Sequence, residues 1–102
     1  MQVEEFKALR DAGKAPRLID VREDWELEQA VIDGADHLAL SGVQVWWQDL
    51  DRDEPIVFYC RTGRRSESLC RALAAEGFTH VFNLEGGIAA WSARVDPTVP
   101  RY

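Results

Sequence analysis

Residues 54–60, EPIVFYC, constrain the fold more than any other stretch of this chain. The run is short, β-branched and aromatic, and it is apolar at successive rather than alternate positions. A strand of that kind buries both faces, as a central strand of a parallel sheet does when helices cover both sides. Parallel neighbours need crossover elements between them, and the rest of the chain supplies them. RLIDV (17–21) and HVFNL (80–84) read as further buried strands, and DGADHLAL (33–40) as a turn followed by a short one. Between them, Val3, Phe6, Leu9 and Ala12 recur at helical spacing and stop at Gly13. REDWELEQA (22–30) reads as a short acidic helix with Trp25 as its inward anchor, and SGVQVWWQDL (41–50) as one or two helical turns. RRSESLCRALAAEGF (64–78) carries Leu69, Cys70, Leu73 and Ala74 on one apolar face and ends at Gly77. GGIAAWSA (86–93) is a last helix, and 93–102 an extended tail. Phe58, Phe78, Phe82 and Trp91 are assigned to the core. This alternation specifies one α/β domain over 1–102, with a mostly parallel sheet and right-handed crossovers.

In such sheets, sites form beyond the carboxyl ends of the strands. Cys60 stands at the end of the best strand, and CRTGRRS (60–66) places Arg61, Arg64 and Arg65 directly after it. The chain as a whole carries a formal net charge of −6, so this cationic cluster is a local feature set against the average field. Gly63 permits backbone conformations closed to other residues, which lets the loop N–H groups turn inward as an anion-binding nest. The start of the following helix adds free N–H groups and a positive dipole end. Such surroundings lower a cysteine pKa from about 8.5 toward roughly 3.5–7.5, leaving a thiolate nucleophile at neutral pH. Cys70, beside Leu69 and Leu73, reads instead as an inert core thiol, with disulfide closure onto Cys60 as the alternative.

The negative charge argues against a nucleic-acid partner and against anionic membranes. No stretch approaches the roughly 20 apolar residues of a membrane span. The start, MQVEEFKALRDAGK, reads as an amphipathic helix rather than a leader. The expected compartment is therefore the cytoplasm, where structural disulfides are disfavoured. His37 and His80 are isolated and neither CxxC nor HxxxH spacing occurs, so no metal site is expected.

Four segments, in order, carry a resemblance: LIDVRE (18–23), CRTGRRS (60–66), GFTHVFNLEGGIAAW (77–91) and the tail VDPTVPRY (95–102). Together they resemble the rhodanese-type sulfurtransferases in their single-domain bacterial form. The resemblance implies an open, mostly parallel five-stranded sheet with helices on both faces. It implies that Cys60 is the sulfur-accepting nucleophile. The loop Arg61, Thr62, Gly63, Arg64 and Arg65 then cradles substrate and persulfide, largely through main-chain N–H groups. Asp20, Arg22 and Ser66 are read as supports beside the site. The implied reaction moves a sulfur from a small anionic donor such as thiosulfate to cyanide, a thiol or a protein acceptor, without metal or organic cofactor. The chain departs from the family pattern at VIDGA (31–35), where Val31 and Asp33 replace the usual histidine and proline of a turn.

Two rival readings share the same loop physics. A cysteine phosphatase or arsenate reductase places five residues between its cysteine and arginine, whereas only four separate Cys60 from Arg65. A persulfide carrier or regulatory binding module would use Cys60 without turnover. Trp46 and Trp47 bear on that reading, because neighbours on a helix point about 100° apart, so one ring is expected in the core and the other partly covered, with an exposed ring that anchors a partner as the alternative.

Overall fold

A computed structural model describes residues 1–102. The elements run α1 (Val3–Asp11), β1 (Arg17–Asp20), α2 (Asp24–Leu27), β2 (Asp36–His37), α3 (Val43–Trp46), β3 (Ile56–Tyr59), α4 (Arg64–Ala75), β4 (Val81–Asn83) and α5 (Gly87–Arg94). Short 3-10 turns, Leu40–Gly42 and Trp47–Asp49, flank α3. The strands form one parallel sheet in the order β2-β1-β3-β4. β3 is central, pairing with β1 from Arg17↔Ile56 to Asp20↔Tyr59 and with β4 from Ile56↔Val81 to Phe58↔Asn83. All four of its residues are buried. Val57 and Tyr59 join Phe6, Leu18, Ile88 and Trp91 on the side of α1 and α5. Ile56, Phe58 and Cys60 join Ile19, Leu69, Leu73 and Phe78 on the side of α4. Two apolar cores on a strand buried on both faces account for the unbroken hydrophobicity of 54–60.

The sheet has four strands rather than five. On the outer edge of β4 only Met1 pairs: its amino group donates to the Asn83 carbonyl (2.8 Å) and its carbonyl accepts from the Glu85 N–H (2.9 Å). The helical spacing that begins at Val3 turns the backbone away before a strand can form. β4 is therefore an edge strand, and Phe82 is exposed rather than part of the core. Trp25 is also exposed, at 61%, and is not the inward anchor of α2. Glu26, one residue on, takes that place at 3% exposure. On α4 the buried positions are Ser66, Leu69 and Leu73; Ala74 lies a further 100° round and is exposed. Helix α5 runs through Arg94, so the tail starts at Val95. It folds back: Val99 is buried and its carbonyl accepts from Ser92 Oγ (2.6 Å). Trp46 and Trp47 are both half-buried, and the large apolar side chain that α3 exposes is Val45. Val31 and Asp33 sit exposed in a turn that Gly34 completes at φ +85°.

Candidate active site

Cys60 follows directly on β3, so the sheet aims it at the open end of the strands. Helix α5 fixes the main chain from behind: the Ile88 and Ala89 N–H groups donate to the Cys60 and Arg61 carbonyls, each at 3.0 Å. The approach is so close that a Cβ at Gly87 would collide with both carbonyls. At the far end of the loop Gly63 stands at φ +94° and caps α4. A Cβ there would be strained and would press on the Gly86 N–H at 3.0 Å. Gly63, Gly86 and Gly87 thus allow loop and helix to meet backbone to backbone.

The sulfur lies at the bottom of this loop. Cys60 is 1% exposed. Its Sγ accepts from the Gly63 N–H at 3.1 Å and is approached by Ser66 Oγ at 3.4 Å. The Ser66 hydroxyl has a second acceptor, Asn83 Oδ1, at 2.5 Å, and Asn83 Nδ2 donates to the Gly63 carbonyl at 3.1 Å. Burial pushes the Cys60 thiol up, but the Ser66 hydroxyl and the main-chain N–H groups of Ser66, Gly63 and Thr62 more than offset it, so the net shift is downward. Burial alone acts strongly on Cys70 and pushes its thiol up to about 11. The two thiols are thus shifted in opposite directions.

The arginines do not converge on the sulfur. Arg61 turns outward, with its guanidinium 4.8 Å from the centre of the Tyr102 ring and bonded to the Tyr102 carbonyl. Arg64 is exposed beside Glu67, Ser68 and Arg71. Arg65 grips Glu26 with two bonds of 2.8 Å. That pair holds the Glu26 carboxyl down at about 2, against an opposing push from burial. The lowered cysteine pKa therefore arises first from the Ser66 hydroxyl and then from the N–H groups of Ser66, Gly63 and Thr62, and Arg65, though paired with Glu26, is still close enough for its charge to interact with the Cys60 sulfur.

Behind the loop lies a buried ionic cluster. Arg22 is fully buried and pairs with Asp20 through Nε (3.0 Å) and a terminal nitrogen (2.7 Å). It also donates to the Ala30 carbonyl at 2.7 Å and to Tyr102 Oη at 2.8 Å. Tyr59 Oη donates to Asp20 Oδ2 at 2.7 Å, and Tyr102 Oη donates to Glu26 Oε1 at 3.1 Å. Of the residues read as supports, Asp20 and Arg22 lie in this cluster and Ser66 lies beside the sulfur. Three participants were missed. Glu26 could have been found from the E-x-x-E spacing of Glu23 and Glu26, which forms a reciprocal capping box at the start of α2. Asn83 and Tyr102 carry no local signal.

The profile of the rhodanese-like domain family matches residues 2–94. The chain is 41% identical to YtwF, a candidate sulfurtransferase of Bacillus subtilis, over 87 residues that cover 85% of this chain and 84% of that one. It is 32% identical to YrkF, a candidate sulfur carrier protein of the same species, covering 94% of this chain but only 52% of the relative. The fold superposes on reduced Bacillus anthracis CoADR-RHD with a TM-score of 0.83 and 27% identity, over 99% of this chain and 18% of that larger one.

Proposed function

The chain belongs to the rhodanese-like family, and from that premise we propose that it transfers a sulfane sulfur from thiosulfate, or a similar anionic donor, to a thiophilic acceptor through a persulfide on Cys60. The observation that carries this reading is the Cys60 sulfur at the bottom of a ring of donors from Thr62, Gly63 and Ser66. Such a ring stabilises the thiolate before reaction, and N–H groups directed into the loop suit the persulfide anion that replaces it.

In the first half-reaction the Cys60 thiolate attacks the outer sulfur of thiosulfate. The S–S bond of the donor breaks, and sulfite leaves with the electron pair. In the second, cyanide or a thiolate attacks the outer sulfur of the persulfide. The new S–S bond breaks and the Cys60 thiolate returns. Dividing the transfer in two through a covalent intermediate is the logic of nucleophilic catalysis. Loop N–H groups favour a small anionic donor over larger polyanions such as nucleic acid, in keeping with the acidic chain.

The test is intact mass spectrometry of the reduced protein before and after thiosulfate. A gain of one sulfur atom, removed by cyanide and absent in Cys60→Ser, is expected; a mutant that still gains it overturns the assignment. The carrier reading shares the persulfide and is favoured by the likeness to YrkF. Many turnovers with excess thiosulfate and cyanide support an enzyme, while a single loading event supports a carrier. The phosphatase reading loses ground, because Arg65 is bound to Glu26 and not free to clamp a phosphate.

A further inference from the structure

Ser66 is fully buried and its hydroxyl has one proton for two acceptors. Cys60 Sγ lies 3.4 Å from Ser66 Oγ, and Asn83 Oδ1 lies 2.5 Å from it. The Gly63 carbonyl decides which end of the Asn83 amide faces the serine. That carbonyl accepts from Asn83 Nδ2 at 3.1 Å and from the Glu67 N–H at 3.1 Å. Turning the amide over would set Oδ1 against another carbonyl oxygen and remove a bond from the residue that caps α4. Oδ1 is therefore fixed toward Ser66, where an amide oxygen can only accept. The sheet holds the amide in place: Asn83 pairs with Phe58, and its own carbonyl accepts from the Met1 amino group at 2.8 Å.

The two acceptors differ in constancy. The amide oxygen keeps the same partial charge throughout. The sulfur carries a full charge as a thiolate, loses it on becoming the inner sulfur of a persulfide, and recovers it when the outer sulfur departs. A thiolate is a strong, charge-assisted acceptor and a neutral sulfur a weak one. We propose that Asn83 is a positioning residue for sulfur transfer, holding the Ser66 hydroxyl while Cys60 is a persulfide and yielding it while Cys60 is a thiolate. The proposal rests on the sulfur-transfer reading. In loading, the Cys60 thiolate bonds to the outer sulfur of the donor, the donor S–S bond breaks with its electron pair going to sulfite, and the hydroxyl turns to Asn83. In discharge, the acceptor bonds to the outer sulfur, the Cys60 S–S bond breaks with its pair returning to Sγ, and the hydroxyl turns back. The Ser66 O–H bond stays intact and only rotates, so no proton changes owner. Asn83 thereby keeps a buried hydroxyl from being stranded in the intermediate. It also keeps the thiolate from being stabilised so far that it loses nucleophilicity.

The test reads the pH midpoint of Cys60 alkylation by iodoacetamide, together with both half-reactions by intact mass. In Asn83→Leu the Ser66 proton has only the sulfur to bond, so the midpoint is expected to fall. Loading by thiosulfate, at a pH where the thiolate is fully formed, should slow about threefold for each pH unit of that fall, because nucleophilicity follows basicity. Discharge to cyanide should quicken, because a less basic thiolate leaves faster. In a Ser66→Ala background Asn83→Leu should change neither the midpoint nor the two rates. Asn83→Asp loses the donor to Gly63, as Asn83→Leu does, but keeps an acceptor toward Ser66 and adds a charge, so it should raise the midpoint. If Asn83→Leu does not fold, Asn83→Ala is measured in its place with the same expectations. Arg65, whose charge reaches the sulfur from α4, and its partner Glu26 are unaltered in every variant. The Met1 ammonium stays on the Asn83 main chain. A midpoint that rises or stays in Asn83→Leu, or shifts equally with and without Ser66, shows that Asn83 only supports the loop and overturns the proposal. Wild-type protein that is loaded by neither thiosulfate nor sodium polysulfide overturns the sulfur-transfer reading and the persulfide step of the proposal with it, while the midpoints still decide whether Asn83 governs the Ser66 hydroxyl.

Discussion

At the residue scale, the chemistry of Cys60 is a contest between burial, which favours the neutral thiol, and donors, which favour the thiolate. The donors win, so the folded pKa lies below that of a free cysteine. Iodoacetamide reactivity should therefore persist as pH falls below about 8.5, the free value, and vanish only at a lower midpoint. Ser66→Ala removes one donor and should move the midpoint up; a wild-type midpoint at the free value would contradict the geometry of the loop. Cys70, pushed up to about 11, should stay unmodified across the same range. Cys70→Ser should retain sulfur transfer and lose about 1 kcal/mol or more in urea unfolding, because a hydroxyl replaces a half-buried thiol against apolar neighbours. Cys60 and Gly63 were legible because their meaning is local: a strand end, then a residue free to adopt positive φ. The destinations of Arg61 and Arg65 were not, since charge in a sequence does not say which way a long side chain turns.

At the element scale, α2 is four residues long and has almost no apolar face, yet it is held firmly through Glu26. The helix is oriented by an ion pair rather than by hydrophobic contact, which is why Trp25 faces solvent where an amphipathic reading places it inside. The pair has a pH signature. Glu26 falls from an unfolded value of 4.5 to about 2 in the folded chain. A depressed carboxylate contributes stability above its unfolded pKa and loses it as pH falls through the folded one. Acid unfolding should therefore show a stability loss between about pH 4.5 and pH 2 that is smaller in Glu26→Gln. The same substitution should lower stability at pH 7 and free Arg65 beside the loop. A Glu26→Gln curve parallel to wild type through that window would show that the pair contributes nothing. The central strand was readable from its unbroken apolar run, whereas β4 was not distinguished from it. An edge strand of three residues shows too few positions for its alternation to emerge.

At the scale of the whole molecule, the tail matters because it closes a circuit between residues far apart in sequence. Tyr102 Oη bonds Arg22 and Glu26, and its ring lies under Arg61 and edge-on to Trp25. The last residue thus joins the loop after β1, helix α2 and the active-site loop, across as many as 80 positions. Contacts of that kind leave no periodic trace, and the tail reads as extended for that reason. The hydroxyl can be removed with little change of shape. Tyr102→Phe keeps the ring beneath Arg61 but leaves one donor of the fully buried Arg22 without an acceptor, at a cost of about 1–3 kcal/mol. For a domain of this size each kcal/mol corresponds to roughly 4–8 °C in Tm, so the effect is measurable by thermal melting with urea unfolding as a check. The m-value should not change, because no additional surface is exposed in the native state. Persulfide formation at saturating thiosulfate should be retained, since the N–H groups of Thr62, Gly63 and Ser66 are untouched. An unchanged Tm would mean that Arg22 finds another acceptor and that the tail is not what holds the circuit closed. A lower Tm with an intact persulfide would separate the two duties of this end of the fold, with the loop activating sulfur and the tail holding the surrounding elements in place.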